Sequence, residues 1–308
     1  MASSGWNTID SDAGVFTRLV EKLNVKDVQF EDLYSIDSDS LRALSPIYGV
    51  IFLFKYSAID RQYALDNNAP LAGEYDQDFQ QYDIFFANQT IQNACATQAV
   101  LNILLNQIHV DVGEDLANFK SFVTGFDPLM AGETISNSDL IRSVHNSFST
   151  PSILVDEDPS KPPPDSDHKN DGLFHFVGYV NVNGYIYELD GLKDFPIRHC
   201  SCSSQDEFID KIPSVLMERI SKYKDELRFS TLVITNNKLK QYKEIGDSFM
   251  VESEINKRDL WDREIELRKH DYTNLFVKIV KDISSKSSDQ DWHVLLDKAR
   301  QKSKRRLM

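Results

Sequence analysis

Two β-rich runs joined by Asn-Gly constrain the fold of this chain more than any other local pattern. Residues 174–182 and 185–190 are rich in aromatic and β-branched side chains, and only Asn183-Gly184 separates them. Asn-Gly suits a two-residue type I′ turn, because both of its residues tolerate positive φ. The pattern therefore predicts an antiparallel hairpin in which the numbers of paired residues sum to 367.

The predicted register places two chemically useful side chains on one face of this hairpin. His175 would lie opposite Leu192, and Asp190 would lie on the diagonal from His175, within reach of long side chains. A carboxylate there can fix the tautomer of the imidazole and stabilise the imidazolium. The alternative is a hydrogen-bonded strand histidine without a chemical role, beside an Asp190-Gly191 pair that only starts a turn.

Cys95 is the candidate nucleophile. It lies near the start of a predicted buried helix, rich in Ala and Leu, that runs from about Asn93 to Gln107. The positive end of the helix dipole favours a thiolate at such a position, and the thiolate is the nucleophilic form of cysteine. The alternative is that Cys95 is a small core residue of an Ala-rich helix.

The three candidates together are typical of a thiol protease, which has a cysteine on a helix and, far along the chain, a histidine and a carboxylate on strands. Such an enzyme also needs a donor to the oxyanion. Gln89 stands six residues before Cys95, and its side-chain amide could donate together with the backbone N–H of Cys95. The alternative for Gln89 is a loop residue that hydrogen bonds to the backbone.

The sequence around these candidates resembles the motifs of the ubiquitin C-terminal hydrolases, thiol peptidases that cut after ubiquitin. The resemblance is clearest at residues 85–98 (FFANQTIQNACATQ), at Phe174-His175 and at residues 187–191 (YELDG). The interval of 15 residues between the candidate His and Asp is also the interval that the family uses. The resemblance covers about residues 5–235.

This resemblance implies a fold and a division of roles. The fold would be α+β, the papain-like cysteine protease fold of this family, with its knotted chain path. Cys95 would be the nucleophile and His175 the general base and acid. Asp190 would be the orienting carboxylate and Gln89 the oxyanion donor. The chemistry would proceed through a covalent thioester and would need no cofactor and no metal.

Charge and periodicity divide the chain into two parts. Residues 1–237 carry 17 basic and 35 acidic side chains, net −18, and residues 238–308 carry 17 basic and 13 acidic, net +4. Beyond Lys238 there is no strand pattern, and apolar residues recur among alternating charges, as in exposed helices. We therefore expect a catalytic domain over 1–237 and a helical extension over 238–308. An acidic body disfavours nucleic-acid binding and favours a basic partner.

A long polar segment separates the two halves of the predicted site. Residues 148–172 contain five prolines and an acidic run, and a structureless connection of this length is usually a lid or a mobile segment. The resemblance implies that it is the family's crossover loop, which filters leaving groups by size. Residues 56–83 are rich in Asp, Gln and Asn and are also interpreted as a loop.

The extension points to partners beyond ubiquitin and its conjugates. It resembles the long, proteasome-associated branch of the family, the L5-type isozyme. In that branch it binds a ubiquitin-receptor subunit of the proteasome regulatory particle, and also a chromatin-remodelling complex. The longest apolar stretch, residues 48–54, is shorter than the roughly 20 residues of a membrane span. We therefore expect no membrane partner.

Three cysteines and the chain ends bear on location. An odd, small number of cysteines implies no disulfide framework and fits a reducing compartment, and the N-terminus lacks a signal-peptide pattern. The basic cluster at 302–306 fits either a nuclear-localisation patch or a helix end where cations suit the dipole. We expect a cytoplasmic and nuclear protein.

Three other interpretations remain open at this stage. The chain could be a ubiquitin-binding scaffold docked on the proteasome, or a papain-like peptidase of broad specificity. His199, Cys200 and Cys202 could form half of a metal site, although a structural zinc needs four ligands.

Overall fold

One antiparallel sheet runs through the body of the protein. The computed structural model describes residues 5–56, 60, 69–91, 93–149, 174–223 and 228–306. The strands within them are β1 (Val28–Asp32), β2 (Ile47–Lys55), β3 (Glu74–Tyr75), β4 (Phe174–Val182), β5 (Tyr185–Leu189), β6 (Ile197–Ser201) and β7 (Ser230–Asn236). Their order across the sheet is β1-β7-β2-β4-β5-β6-β3.

Helices cover the sheet and form the C-terminal extension. The described helices of the body are α1 (Ala13–Lys22), α2 (Ser38–Ala43), α3 (Cys95–Leu104), α4 (Gly113–Val123), α5 (Pro128–Asn137), α6 (Asp139–Asn146) and α7 (Gln205–Ser221). Those of the extension are α8 (Lys238–Ile245), α9 (Ser248–Lys269), α10 (Thr273–Lys286) and α11 (Asp289–Arg306). A single 3₁₀ turn, Phe79–Tyr82, precedes α3 in the described chain.

The pleat of strand β2 divides the core into two layers. Its side chains alternate between the two faces of the sheet. Ile51 joins the cluster that contains α1 and α3, whereas Val50, Phe52 and Phe54 join the cluster that contains α7. His175 lies near the start of β4, the central strand of this sheet, and Asp190 directly follows the neighbouring strand β5. Packing on both faces holds these strands in a fixed register.

The predicted hairpin is confirmed in turn type and register. Asn183 and Gly184 have φ of 49° and 81°, as the turn requires. The strands pair from Val182–Tyr185 to Gly178–Leu189, with numbers that sum to 367. Beyond that point β5 ends, so the pairing of His175 with Leu192 does not form. On the other side of β4, His175 pairs with Phe54 of β2.

Among the other sequence predictions, two helices are confirmed and one loop is partly wrong. The sequence patterns at 116–123 and 138–145 predict two short helices, and both form, as α4 and α6. Asp12 caps α1 by accepting from the N–H groups of Gly14 and Val15, and Ser204 caps α7 by accepting from the N–H of Glu207. The loop predicted at 56–83 is wrong where β3 and the 3₁₀ turn form, because pairing with β6 makes a strand of a polar segment that has no strand pattern of its own.

The C-terminal extension is helical, as predicted, but its first part packs against the rest of the protein. Buried residues of α9 (Glu254, Arg258 and Ile265) face α1 and β1. The guanidinium of Arg258 donates to Gln29 at 2.7 Å and to Glu21 at 2.8 Å. The boundary at residue 237 stays a prediction, and α8 and α9 pack beyond it as part of the same body.

Two expectations fall on chain that the structure does not cover. The predicted crossover loop at 148–172 lies, from residue 150 onward, outside the described residues. The knotted chain path depends on the same segment and stays a prediction. Among the helices that are described, none is long and apolar enough to cross a membrane.

Candidate active site

Cys95 is the first residue of α3, at the helix end whose first backbone N–H groups have no partner within the helix. The helix begins two residues later than predicted, because Asn93 adopts a left-handed conformation with φ of 68°. The side chain of Asn93 donates to the carbonyl oxygen of Trp6 at 3.2 Å. The chain before Cys95 is thus held against the N-terminal segment, and the thiol remains partly exposed.

His175 lies between the thiol and a carboxylate. Its Nε2 is 2.6 Å from Oδ1 of Asp190, and the thiol of Cys95 lies near enough to help raise the pKa of the ring. Because Nε2 is engaged by the carboxylate, Nδ1 is the nitrogen available to the thiol. The rings of Phe54 and Tyr56 stand edge-on to the imidazole, with centroids at 5.7 and 5.8 Å, so the imidazole has little room to turn.

The environment favours a charged His175. Burial by itself lowers the pKa of this imidazole. The charge of Asp190, its hydrogen bond and the contact with Cys95 outweigh burial and raise the pKa of His175 to about 9. Near neutral pH the imidazole therefore carries a proton that it can transfer.

Asp190 follows β5 and is completely buried. Burial alone would raise the pKa of this carboxyl, but the attraction of His175, together with Arg219 and Lys193, holds the pKa well below its usual range. The backbone N–H of Leu192 donates to the same Oδ1 at 3.0 Å. Asp190 is thus a fixed carboxylate aimed at one nitrogen of His175.

Gln89 lies in the loop before α3, beside the turn that follows Asp190. Its backbone N–H donates to the carbonyl oxygen of Gly191 at 2.8 Å. Its side-chain Nε2 donates to the carbonyl oxygen of Ile91 at 3.2 Å, which uses one of its two N–H bonds. The second N–H is available to a ligand.

Amide side chains of α3 and of the turn just after it hold the loop that precedes Gln89, a feature that the sequence analysis missed. Asn106 bonds both backbone groups of Phe85, and Asn102 bonds both backbone groups of Ala87, at 2.7 to 3.2 Å. Gln98 adds a bond from its Nε2 to Ala87 O at 2.8 Å. Gln98 and Asn102 lie four residues apart in an apolar helix, and Asn106 continues that spacing just beyond its end. This spacing is the signal that could have revealed them.

A buried ionic cluster lies behind the site. Arg219 of α7 pairs with Glu188 and lies 4.3 Å from the centroid of the Phe54 ring. His199 is 3.1 Å from Glu188, so it serves this cluster rather than a metal. Among the described residues, no group of three potential ligands could hold a metal ion.

The arrangement can activate a nucleophile. The structure brings Cys95, His175 and Asp190 together, and it places Gln89 against the turn of Asp190. A thiolate, an imidazolium oriented by a carboxylate, and donors at a helix start are the parts of a covalent acyl-transfer site.

Comparisons with known proteins agree on one family. A family model described as ubiquitin carboxyl-terminal hydrolase, family 1, matches residues 6–221. Ubiquitin carboxyl-terminal hydrolase 2 of Schizosaccharomyces pombe is 41% identical, over 96% of this chain and 97% of that protein. Ubiquitin carboxyl-terminal hydrolase isozyme L5 of Dictyostelium discoideum is 40% identical over 77% of this chain, and the match spans 63% of that relative.

Solved structures give the same result. The catalytic domain of Trichinella spiralis UCH37, bound to ubiquitin vinyl methyl ester, is 33% identical with a TM-score of 0.62 and covers 77% of this chain and 98% of that one. A second structure of UCH37 from that organism, also bound to ubiquitin vinyl methyl ester, is 30% identical with a TM-score of 0.60. It covers 85% of this chain and 99% of that one.

Proposed function

Since the chain belongs to family 1 of the ubiquitin carboxyl-terminal hydrolases, we propose that Cys95, His175, Asp190 and Gln89 carry out hydrolysis at the C-terminal glycine of ubiquitin. Membership makes the chain a cysteine-type ubiquitinyl hydrolase with the papain-like α+β fold of that family, and the sequence prediction of this fold is confirmed. The roles of the individual residues are the proposal.

The proposed reaction has two stages. The thiolate of Cys95 attacks the carbonyl carbon of the terminal glycine, and a C–S bond forms. The oxyanion accepts hydrogen bonds from the Gln89 amide and from the backbone N–H of Cys95. The C–N bond then breaks, and His175 gives its proton to the leaving amine. Water, deprotonated by His175, finally hydrolyses the thioester and restores the thiolate.

The observation that carries this proposal is the grouping of Cys95, His175 and Asp190, which α3 and β4 bring together by packing on each other. Asp190 lies 2.6 Å from the imidazole of His175, and the nearby thiol of Cys95 acts with this carboxylate to raise the pKa of His175. A structural cysteine in an Ala-rich helix would not require a protonated histidine beside it. A general acid with a raised pKa is what departure of an amine demands.

Turnover of ubiquitin that carries a C-terminal fluorogenic amide tests the proposal. Wild type should release the fluorophore, and Cys95→Ala should not. Cys200→Ala is the matched control, because Cys200 is also partly exposed but lies on β6. Equal turnover by Cys95→Ala would refute the proposed nucleophile, as would rapid cleavage of short peptides that lack ubiquitin, which would point to a broad peptidase.

Electrostatic steering should assist capture of ubiquitin. The region from 1 to 237 has a net charge of −18, which favours a basic partner and speeds its encounter. Added salt should therefore lower the association rate of ubiquitin more than it raises the dissociation rate. An association rate that does not depend on salt would count against steering.

We assign docking to the extension. The proposed partner is a ubiquitin-receptor subunit of the proteasome regulatory particle, with a chromatin-remodelling complex as a further candidate. Helix α10 supports this assignment, because none of its described residues is buried and it exposes a row of apolar side chains. The cytoplasmic and nuclear location stays a prediction. The size filter at 148–172 also stays a prediction. Shortening this loop should change the ratio between the rates on conjugates with large and with small leaving groups.

A further inference from the structure

Asn88 joins the loop of Gln89 to the turn of Asp190. Its side-chain Nδ2 donates to the carbonyl oxygen of Lys193 at 2.6 Å and lies 3.5 Å from the carbonyl oxygen of Gly191. Next to it, the backbone N–H of Gln89 donates to the same Gly191 oxygen. Two consecutive residues, Asn88 and Gln89, therefore hydrogen bond to two backbone carbonyls of the turn that follows Asp190.

The amide side chains of α3 and of the turn just after it do not reach this part of the loop. Asn106 and Asn102 hold the backbone at Phe85 and Ala87, and no described hydrogen bond from α3 extends to Asn88 or Gln89. The hydrogen bonds to Gly191 and Lys193 are thus the ones that join the Gln89 loop to the turn of Asp190.

Helix α5 closes the opposite side of the loop. The backbone N–H of Asn88 donates to the carbonyl oxygen of Pro128 at 2.8 Å. A Cβ on Gly132 would overlap the carbonyl oxygen of Asn88, so only glycine permits this approach. The peptide of Asn88 is therefore held between α5 and the turn of Asp190.

The two loops depend on Asn88 to different degrees. The turn of Asp190 has bonds of its own, because the N–H of Leu192 donates to Oδ1 and the N–H of Lys193 donates to the carbonyl of Asp190 at 2.9 Å. The loop at Gln89 has no comparable internal bonds beyond the contact of its amide with Ile91. Loss of the Asn88 donor should leave the loop at Gln89 with only its backbone bonds to Gly191 and Pro128, which loosens it, and should leave Asp190 in place.

We propose that Asn88 is a positioning residue that sets the placement of the Gln89 amide toward the oxyanion. This inference rests on the proposed role of Gln89 and deepens it. Asn88 does not touch the reacting atoms. It acts on the step in which negative charge develops on the carbonyl oxygen, whereas formation of the thiolate depends on His175 and Asp190.

The sharpest variant is Asn88→Asp, which keeps the shape of the side chain, removes its donor and places a carboxylate oxygen opposite two carbonyls. On a ubiquitin fluorogenic amide, kcat should fall about 10- to 100-fold, with KM changed by less than about twofold, because misplacement of a preorganised donor affects the transition state. Asn88→Gln retains an amide N–H and should exceed Asn88→Ala in kcat by about threefold or more.

A second readout separates positioning from loss of the fold. Alkylation of Cys95 by iodoacetamide needs the thiolate but develops no oxyanion, so its rate and pH profile should be the same in Asn88→Asp and wild type. Asn137→Asp is the matched control, because Asn137 is an exposed asparagine of α5 and gains the same charge. Its kcat should equal that of wild type.

The possible outcomes distinguish a failure of the proposed function from a failure of the positioning role of Asn88. No dependence of wild-type turnover on Cys95 would refute the proposed function itself. A wild type that turns over through Cys95, with Asn88→Asp at wild-type kcat, would refute the positioning role alone. Equal losses in alkylation and turnover, or failure of both Asn88→Asp and Asn88→Ala to fold, would also refute it, because Asn88 would then be a general structural residue.

Discussion

Trp261 of α9 packs directly on Gly14 of α1. A Cβ on Gly14 would overlap Cγ of the indole, so the helices meet at the one α1 position that has no side chain there. Beside this contact, Arg18 makes two hydrogen bonds of 2.7 Å to the two carboxylate oxygens of Asp262. The extension is therefore joined to the N-terminal helix α1 as well as to strand β1.

Gly14→Leu tests this packing. In the full chain the new side chain must displace Trp261, and overpacking costs about 1–3 kcal/mol. At about 2–4 °C per kcal/mol for a large domain, the melting temperature should fall by roughly 2–12 °C. In a chain that ends at Asn237, which we expect to stay folded and active, the same substitution should leave the melting temperature unchanged. Equal losses in both chains would contradict the contact.

The pH dependence of catalysis should follow the pair of His175 and Asp190. Burial lowers the pKa of the imidazole, and the carboxylate more than reverses this and brings the pKa to about 9. The protonated form therefore persists to about that pH, and kcat/KM should decline above it. In Asp190→Asn the pKa of His175 falls, so the basic limb should move to lower pH and kcat should drop about a hundredfold or more.

The matched control for this experiment is Asp194→Asn. Asp194 is exposed and lies four residues beyond Asp190 in the same connection to β6. It should leave the basic limb where it is in wild type. A basic limb that stayed in place in Asp190→Asn would show that another group raises the pKa of His175.

The hairpin and the close approach of His175 to Asp190 could be predicted because they depend on local rules. Asn183-Gly184 fixes a turn type, the turn fixes the register, and the register fixes which side chains share a face. A helix that starts near Cys95 follows from its apolar run in the same way. For Gln89 the sequence alone offered either an oxyanion donor or a simple loop residue, and the resemblance favoured the donor.

What could not be predicted depends on contacts between distant segments. Strand β3 is polar and short, and it exists because β6 offers it hydrogen bonds. The role of Asn88 depends on carbonyls more than 100 residues away. The docking of α9 depends on Trp261 meeting a glycine near the start of α1, and neither segment has a pattern that specifies the other.

His145 should make the fold sensitive to acid. It is fully buried, its Nε2 donates to the carbonyl oxygen of Asn7 at 2.6 Å, and its Nδ1 accepts from the hydroxyl of Thr97 at 2.7 Å. The neutral ring thus satisfies both nitrogens. Burial lowers the pKa of His145, and the bond to Asn7 offsets this only in part.

The sign of this effect is fixed by the lowered pKa. The contribution to the free energy of unfolding is complete above about pH 6.5, the ordinary pKa of histidine, and is lost as the pH falls below it. Thermal unfolding between pH 7.5 and 5.5 should show a decline that is smaller in His145→Gln than in wild type. The same slope in both would mean that other groups cause the decline.

Helix α10 presents an apolar face that the rest of the described chain leaves uncovered. Leu275, Phe276, Ile279, Val280 and Ile283 are all about half exposed, and their spacing of one, three and four residues places them on one side of the helix. A face of this kind on a soluble protein is a typical docking surface for a partner.

If the extension docks on the proteasome as proposed, Phe276→Asp should remove its binding to a ubiquitin-receptor subunit of the regulatory particle and leave the hydrolysis of ubiquitin amide unchanged. A carboxylate in the centre of an apolar interface must lose its hydration without a partner, which costs several kcal/mol, so affinity should fall by about a hundredfold or more. Ser285→Asp is the matched control, since it adds the same charge at an exposed position on the opposite side of α10. Affinity measured by titration calorimetry with the isolated receptor domain should separate the two variants, and equal affinities would show that the partner binds elsewhere on the extension.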